Sequence, residues 1–344
     1  MLKTTNRKPM LWTLVAAIAA AVVAVYAYLQ LVEPVGRSRL SGPLEKVTLM
    51  ASVQPALAPF YVALEKGYFR RERLEVNLVP TTSGKAGLVS VIDGKADFVS
   101  AAEIPLVLAA MGKKPFTIVA TFYIGGKDHG VVARKNRDIA RPADLKGKRI
   151  GVTPGTTSPF LLDLVLTDSG IRRDEVQLVD LRPEQMPEAM AKGELDAAAT
   201  WDPTLRTLQR ELGSNAITFD GHGLFSYNFV LAANRDFATS RPETVKRFLR
   251  ALVEANAFIR THSDEAQRIT VEKSGLDAAL VREQLNGLAF RLTLDQSLVI
   301  ALDDAARWAI RNKLTDAAEV PNFLNYITAD PLHSLDAAAV SLVR

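Results

Sequence analysis

Two stretches of this chain, about a hundred residues apart, carry the same punctuation. In the first, Pro59-Phe60 opens a helical pattern, and Gly94, Asp97 and Glu103 follow Pro59 by 35, 38 and 44 residues, with Pro105 close behind. In the second, Pro159-Phe160 opens a helical pattern, and Gly193, Asp196 and Asp202 follow Pro159 by 34, 37 and 43, with Pro203 next. The shared unit reads strand, helix, strand, helix, Gly-x-x-Asp, short strand, acidic residue, proline. Each position has a local reason: Gly94 and Gly193 end helices, Asp97 and Asp196 start strands, and the acid with its proline begins the next helix. A repeat of this kind predicts two similar α/β lobes. Ligands of such sheets bind beyond the carboxyl ends of the strands, so Glu103 and Asp202 are both expected to point toward a shared cleft.

The pattern between these marks alternates. Val47 to Val53 reads as a strand, Ala58 to Lys66 as a helix stopped at Gly67, Leu74 to Val79 as a strand and Gly84 to Asp93 as a helix. That alternation predicts a mainly parallel sheet with helices on both faces. The last hundred residues change character: Arg241 to Arg260, Ser263 to Ser274, Asp277 to Gly287 and Asp295 to Asn312 are amphipathic helical patterns.

Ahead of all this, Met10 to Val32 is an uncharged apolar run preceded by Lys3, Arg7 and Lys8. As a helix it would be roughly 35 Å long, enough to cross a hydrocarbon core of about 30 Å. The basic residues before it predict a cytoplasmic N-terminus and an exported body. Three readings stay open, an uncleaved membrane anchor, a signal peptide cut near Val25-Tyr26-Ala27 and a buried soluble helix, and either of the first two exports the rest. Residues 33–45, rich in Pro, Gly and Ser, read as a linker.

The net charge of +4 sits at this end. Residues 1–46 hold six basic and two acidic residues, which leaves 36 of each sign in the remainder of the 42 basic and 38 acidic residues. The body is neutral, so nucleic acid is not an expected partner. The chain has no cysteine, which excludes a lipid-modified cysteine anchor, disulfides and thiol catalysis. His129, His222, His262 and His333 lack metal-ligand spacing, and no nucleophile triad or phosphate loop stands out. No cofactor, metal or catalytic residue is expected.

Four blocks in order carry a resemblance: PFYVALEKGYF, SGKAGLVSVIDGKADF with AAEIPLVLAAMG, ADLKGKRIGVTPGTT, and MAKGELDAAATWDPTL. With these the chain resembles the aliphatic sulfonate, taurine and nitrate binding proteins of ABC importers, a family that includes thiamine-precursor binding proteins. The resemblance covers residues 47 to about 260. It implies an α/β, two-lobed type II periplasmic-binding-protein fold with a helical C-terminal region and an N-terminal transmembrane or signal helix. It also implies a small ligand held between the lobes for an ABC permease and its ATPase. Crossings between lobes are expected near Val131 to Arg134 and near Phe229 to Ala233. The division that follows is 1–32 as anchor or signal segment, 33–45 as linker, 46–134 plus 225–344 as lobe one, and 135–224 as lobe two.

Candidate ligand-binding residues follow from helix starts and strand ends. Gly155-Thr156-Thr157-Ser158-Pro159 and Thr81-Thr82-Ser83-Gly84 each sit between a strand and a helix, where N–H groups and hydroxyls face an anion, or where Ser and Thr merely cap. Thr156, Thr157, Ser158, Ser83 and Gly84 are therefore candidates, and Lys85 reads as a solvated first-turn charge. Glu103 either caps its helix or meets a cationic part of the ligand. With Asp202 also in the cleft, a zwitterionic or amine ligand is expected over nitrate. Trp201 is a pocket wall or core, and Gln54 and Tyr123 are weaker pocket candidates. Phe60, Tyr61 and Phe69 read as core, and Asp303-Asp304 as a solvated helix face.

The expected function is a periplasmic solute-binding protein on the outer face of the cytoplasmic membrane. A membrane-tethered sensing module is the alternative. The thiamine-precursor enzymes that resemble these proteins depend on a cysteine-rich motif that this chain lacks.

Overall fold

The fold is built on two five-stranded sheets that use the same plan. The computed structural model describes residues 42–220, 226–286 and 290–343, with Leu44–Arg344 forming one compact unit. The apolar run 10–32, most of the linker and His222 lie outside the described residues. Among the described residues, no helix is long and apolar enough to cross a membrane.

In chain order, the first sheet begins with β1 (Glu45–Ser52), α1 (Ala58–Glu65), β2 (Leu74–Thr81), α2 (Gly84–Ile92), β3 (Phe98–Ala102), α3 (Glu103–Met111) and β4 (Phe116–Gly125). The chain then enters the second sheet through β5 (His129–Arg134). There follow β6 (Arg149–Val152), α4 (Thr157–Asp168), β7 (Gln177–Asp180), α5 (Met186–Ala191), β8 (Ala197–Trp201), α6 (Thr204–Leu212) and β9 (Ala216–Phe219). It returns through β10 (Tyr227–Asn234) to the helices α7 (Pro242–Thr261), α8 (Ser263–Ser274), α9 (Ala278–Asn286), α10 (Gln296–Arg311) and α11 (Asp330–His333).

The sheet orders are β2-β1-β3-β10-β4 and β7-β6-β8-β5-β9. β1 runs parallel to β2 and β3, and β6 parallel to β7 and β8, but β10 and β5 are antiparallel to both their neighbours. Each sheet is thus mixed rather than mainly parallel. The reason is the route of the chain: β4 and β9 each finish at the carboxyl edge of their sheet, so the strand that follows enters the other sheet at its carboxyl edge and runs backwards. The chain therefore changes sheet after β4 and again after β9. Val131 to Arg134 and Phe229 to Ala233, expected at the crossings, lie inside β5 and β10.

The Gly-x-x-Asp step of the repeat makes the same backbone bonds in both sheets. Asp97 Oδ2 accepts from the Thr48 N–H at 2.8 Å, and Asp196 Oδ2 accepts from the Arg149 N–H at 2.9 Å. The aspartate N–H groups return the bond to Thr48 O at 3.0 Å and Arg149 O at 2.9 Å. Gly94 (φ +70°) and Gly193 (φ +74°) hold the left-handed turn that lets each aspartate reach its strand.

In the first lobe, the α7 face formed by Val245, Phe248, Leu249 and Leu252 is buried, the spacing of an amphipathic helix. Phe248 stacks on Phe98 at 4.4 Å and lies 4.7 Å from Phe69, while Phe60 meets Phe122 edge-on at 5.0 Å. Phe60, Tyr61 and Phe69 are core, as read from the sequence.

Candidate functional site

Two helices start at the facing carboxyl edges, one from each lobe. On the first, Ser83 caps α2, its Oγ accepting from the Ala86 N–H at 3.3 Å. On the second, Thr156 caps α4, accepting from the Ser158 N–H at 3.3 Å. Between the two helix starts lies a cavity of about 30 Å³, lined by Gln54, Ser83, Gly84, Thr156, Thr157 and Trp201, six of the ten candidates. Ser52, Lys85, His129 and Phe229 also line it. This is room for roughly one or two water molecules, so the lobes are drawn together around it.

Most hydroxyls at these starts already serve the fold. Thr156 Oγ1 donates to Thr153 O at 2.7 Å, and Ser158 Oγ donates to Ala199 O at 2.6 Å and accepts from the Thr153 N–H. Ser158 is fully buried and absent from the cavity wall, so it is a tie between α4 and β8 rather than a ligand contact. Thr157 is different: it is buried, it faces the cavity, and its hydroxyl has no hydrogen-bond partner among the described residues. Gly84 owes its lack of a side chain to packing, since a Cβ there would meet Ala101 Cα and Cβ at 2.8 Å.

Lys85 is not simply solvated. Its Nζ crosses from lobe one and donates to Pro154 O of lobe two at 3.0 Å. A Cβ on Gly155, whose φ is +74°, would come within 2.9 Å of that Nζ. Nothing in the local pattern signals this, because the partner is 69 residues away. An ammonium and two helix starts, each worth roughly half a positive charge, make the cavity suited to an anion.

The two matched acids part company. Glu103 lines an adjoining chamber of about 360 Å³ that shares Thr157 with the small cavity and has Ile104, Phe160 and Leu164 as apolar wall. Asp304 and Arg311 are at its exposed rim. Glu103 is buried, and its Oε1 accepts from the Asn228 backbone N–H and from Asn228 Nδ2 at 2.8 Å. Burial pushes its carboxyl up to about 7, and the Asn228 bonds offset this only in part. Asp202 lines neither space. Its Oδ2 accepts from Gln284 Nε2 of α9 and lies 3.6 Å from Arg206, while burial pushes its carboxyl up to about 6. Of the two acids expected to face a shared cleft, Glu103 lines a chamber and Asp202 lines neither space, its carboxylate being turned to Gln284 of the C-terminal helices.

Tyr123 is also outside the cleft. Its ring packs edge-on to Tyr227 at 5.9 Å and 6.4 Å from Phe290, and its hydroxyl covers Gly125, where a Cβ would stand 1.8 Å from it. The residue that reaches the cleft from this region is His129. It is buried, its Nδ1 lies 3.3 Å from Asp128 Oδ1, and its ring is 4.4 Å from Tyr227 and 6.0 Å from Trp201. Asp128, which also accepts from the Tyr227 hydroxyl, is buried, which raises its carboxyl, but His129 and Tyr227 outweigh this and hold it low. His262 and His333 are exposed on the surface.

The sequence model described as NMT1/THI5 like matches residues 54–266. A putative aliphatic sulfonates-binding protein of Bacillus subtilis (strain 168) is 25% identical over 270 residues, covering 77% of this chain and 81% of that protein. Among solved structures, the alkanesulfonate-binding protein of Xanthomonas axonopodis pv. citri bound to MOPS superposes with a TM-score of 0.73 at 21% identity, covering 84% of this chain and all of that one. The desulfurization enzyme DSZB superposes at 0.65 with 20% identity, covering 85% and 99%. At these identities the two structures speak for the fold, which is the two-lobed periplasmic-binding-protein fold.

Proposed function

The chain belongs to the NMT1/THI5-like family, and from that premise we propose that it is an exported solute-binding protein that captures a small organic anion, a sulfonate first of all, for an ABC permease and its ATPase. The observation that carries this reading is the pair of helix starts from duplicated lobes, with Lys85 and the Thr157 hydroxyl between them. Fixed N–H dipoles and one ammonium favour an anion without any arginine. The adjoining chamber favours an organic sulfonate over nitrate, because its wall of Ile104, Phe160 and Leu164 suits an apolar body and Glu103 suits a taurine-like ammonium. The ligand set proposed is Gln54, Ser83, Gly84, Thr156, Thr157 and Trp201 with Lys85 and His129 added, and Glu103 for the tail. Tyr123, Ser158 and Asp202 support it from behind.

The apolar run 10–32, with its basic N-terminal flank, supports export and a tether on the periplasmic face. The same run is what favours the second reading, a membrane-tethered sensing module. Co-purification with a permease and ATPase, as against a kinase, separates the two. No turnover of the bound solute is expected, and detecting turnover would replace this reading with an enzyme on the same fold.

The test is a melting-temperature screen against taurine, alkanesulfonates, nitrate, amino acids and pyrimidines, because a ligand specific to the folded state raises stability. A sulfonate should give the largest rise. Thr157→Val should then weaken the hit by about tenfold, the order of one hydrogen bond to a charged group, while Asp202→Asn, which keeps an oxygen to accept from Gln284, should leave it nearly unchanged. Equal affinities for wild type and Thr157→Val would move the ligand out of this cleft.

A further inference from the structure

A second cavity, of about 560 Å³, opens between α7, residues 290–292 and the end of the chain from α11 onward. It shares no lining residue with the cleft or its chamber. Its floor is apolar, with Phe290, Leu292 and Leu332 buried beneath it and Leu335 beside them. Its polar lining is mainly cationic. Arg250 and Arg260 come from α7, and Arg291 from the segment that faces it. Arg250 is committed to Glu72, 2.6 Å away. Arg260 and Arg291 are exposed and pair with no carboxylate or hydrogen-bond acceptor among the described residues. Asp336 is the one carboxylate in the wall, and its Oδ1 already accepts from the Ala338 N–H at 3.0 Å.

Asn256 adds a polar spot to the wall. It lies on α7 in the cavity wall, it is only 3% exposed, and its buried amide oxygen has no hydrogen-bond partner. An amide oxygen only accepts, so its missing partner is a donor such as a water, and the anion itself is left to the two arginines. Two unpaired guanidinium forks match a carboxylate or sulfonate head, and the floor beneath them rewards an apolar body.

We propose that this cavity is a second binding site, for a free amphipathic organic anion whose head lies against Arg260 and Arg291 and whose chain or ring, of about eight carbons, covers Phe290, Leu332 and Leu335. This is separate from the cleft reading and stands if that reading fails.

Octanoate is the probe. The full chain in phosphatidylcholine nanodiscs is titrated by calorimetry against empty nanodiscs, with acetate in parallel. The expected result is saturable octanoate binding at one site, at least tenfold tighter than acetate. The double variant Arg260→Glu/Arg291→Glu should weaken it at least tenfold, and Thr157→Val should not change it. Both arginines are exposed and unpaired, so the double variant should stay folded, its melting temperature lowered by at most a few degrees for a glutamate in the last turn of α7. Octanoate uptake no greater than that of empty nanodiscs overturns the proposal. So does binding that survives the charge reversal, binding no tighter than acetate, or binding lost in Thr157→Val, which would put octanoate in the cleft.

Discussion

Glu103 shows how far a carboxylate's behaviour is set by what its oxygens touch. Buried at the start of α3 and tied to Asn228, it has its carboxyl pushed up to about 7 by desolvation. An acid whose native value is raised holds its proton more tightly when folded. Its contribution to stability is therefore greatest below the unfolded value near 4.5 and is lost as pH rises toward 7. Glu103→Gln keeps an acceptor for Asn228 and removes the titration. Between pH 5 and pH 8 the wild type should lose about 2–3 kcal/mol relative to the variant, at roughly 1.4 kcal/mol per unit, read from urea unfolding at the two pH values. Parallel stability curves would show that Glu103 is ionised in the fold at a normal cost. The position of this acid was legible in the sequence, because the repeat marks it beside Asp202. Its orientation was not, since Asn228 lies 125 residues on and the Gln284 that captures Asp202 lies 82 residues on. Lys85 reads from sequence as a solvated first-turn charge for the same reason, with its partner carbonyl in the other lobe.

Elements were read more securely than side chains, because their limits are written in local chemistry. Ser263–Ser274 is helical over the span its pattern indicated, closed by Gly275 at φ +68°. Which sheet β5 and β10 join is not written in their pattern, because an apolar strand looks the same in either sheet and only pairing decides which sheet owns it. Asp97 and Asp196 test the twin units directly. Both accept a backbone N–H from the first strand of their unit, yet their surroundings differ in charge. Burial raises Asp97, and the Thr48 N–H only partly offsets it. Burial also raises Asp196, but Arg149 through its guanidinium and backbone N–H, with Arg137 beside it, outweighs that and lowers it. A carboxyl 13C titration should place Asp97 above the ordinary aspartate value and Asp196 below it. Stability owed to Asp97 then falls as pH rises, whereas stability owed to Asp196 falls as pH drops. Coincident titrations would mean that Arg149 and Arg137 contribute little at their partly exposed positions, as surface pairs often do.

At the scale of the molecule, the C-terminal helices do more than complete lobe one: they hold lobe two. α10 packs on α3 in the first lobe and sends Trp308 onto α4 in the second. The indole Nε1–H donates to Asp163 Oδ2 at 2.8 Å, where Arg173 also arrives at 2.7 Å, and the ring meets Phe160 edge-on at 5.1 Å. On the other flank, α9 supplies Gln284 to Asp202 and Glu283 to Arg206 of α6. If the C-terminal helices move with the first sheet, these bonds form only when the lobes close; they are then expected to bias closure before any ligand arrives, and a ligand bound between the lobes adds to the same bias. Trp308→Phe keeps a ring against Phe160 but removes the bond to Asp163, whose other oxygen, Oδ1, is already buried without a partner. The lost bond, about 1.5–3 kcal/mol for one to a charged group, comes off the closed state alone. The ligand-free variant should therefore show a larger radius of gyration in small-angle scattering and bind its cleft ligand about tenfold or more weakly, since 1.4 kcal/mol is a factor of ten. A variant that melts lower yet keeps the wild-type radius and affinity would locate the bond in the rigid frame of the fold, leaving closure to the cleft residues and their ligand.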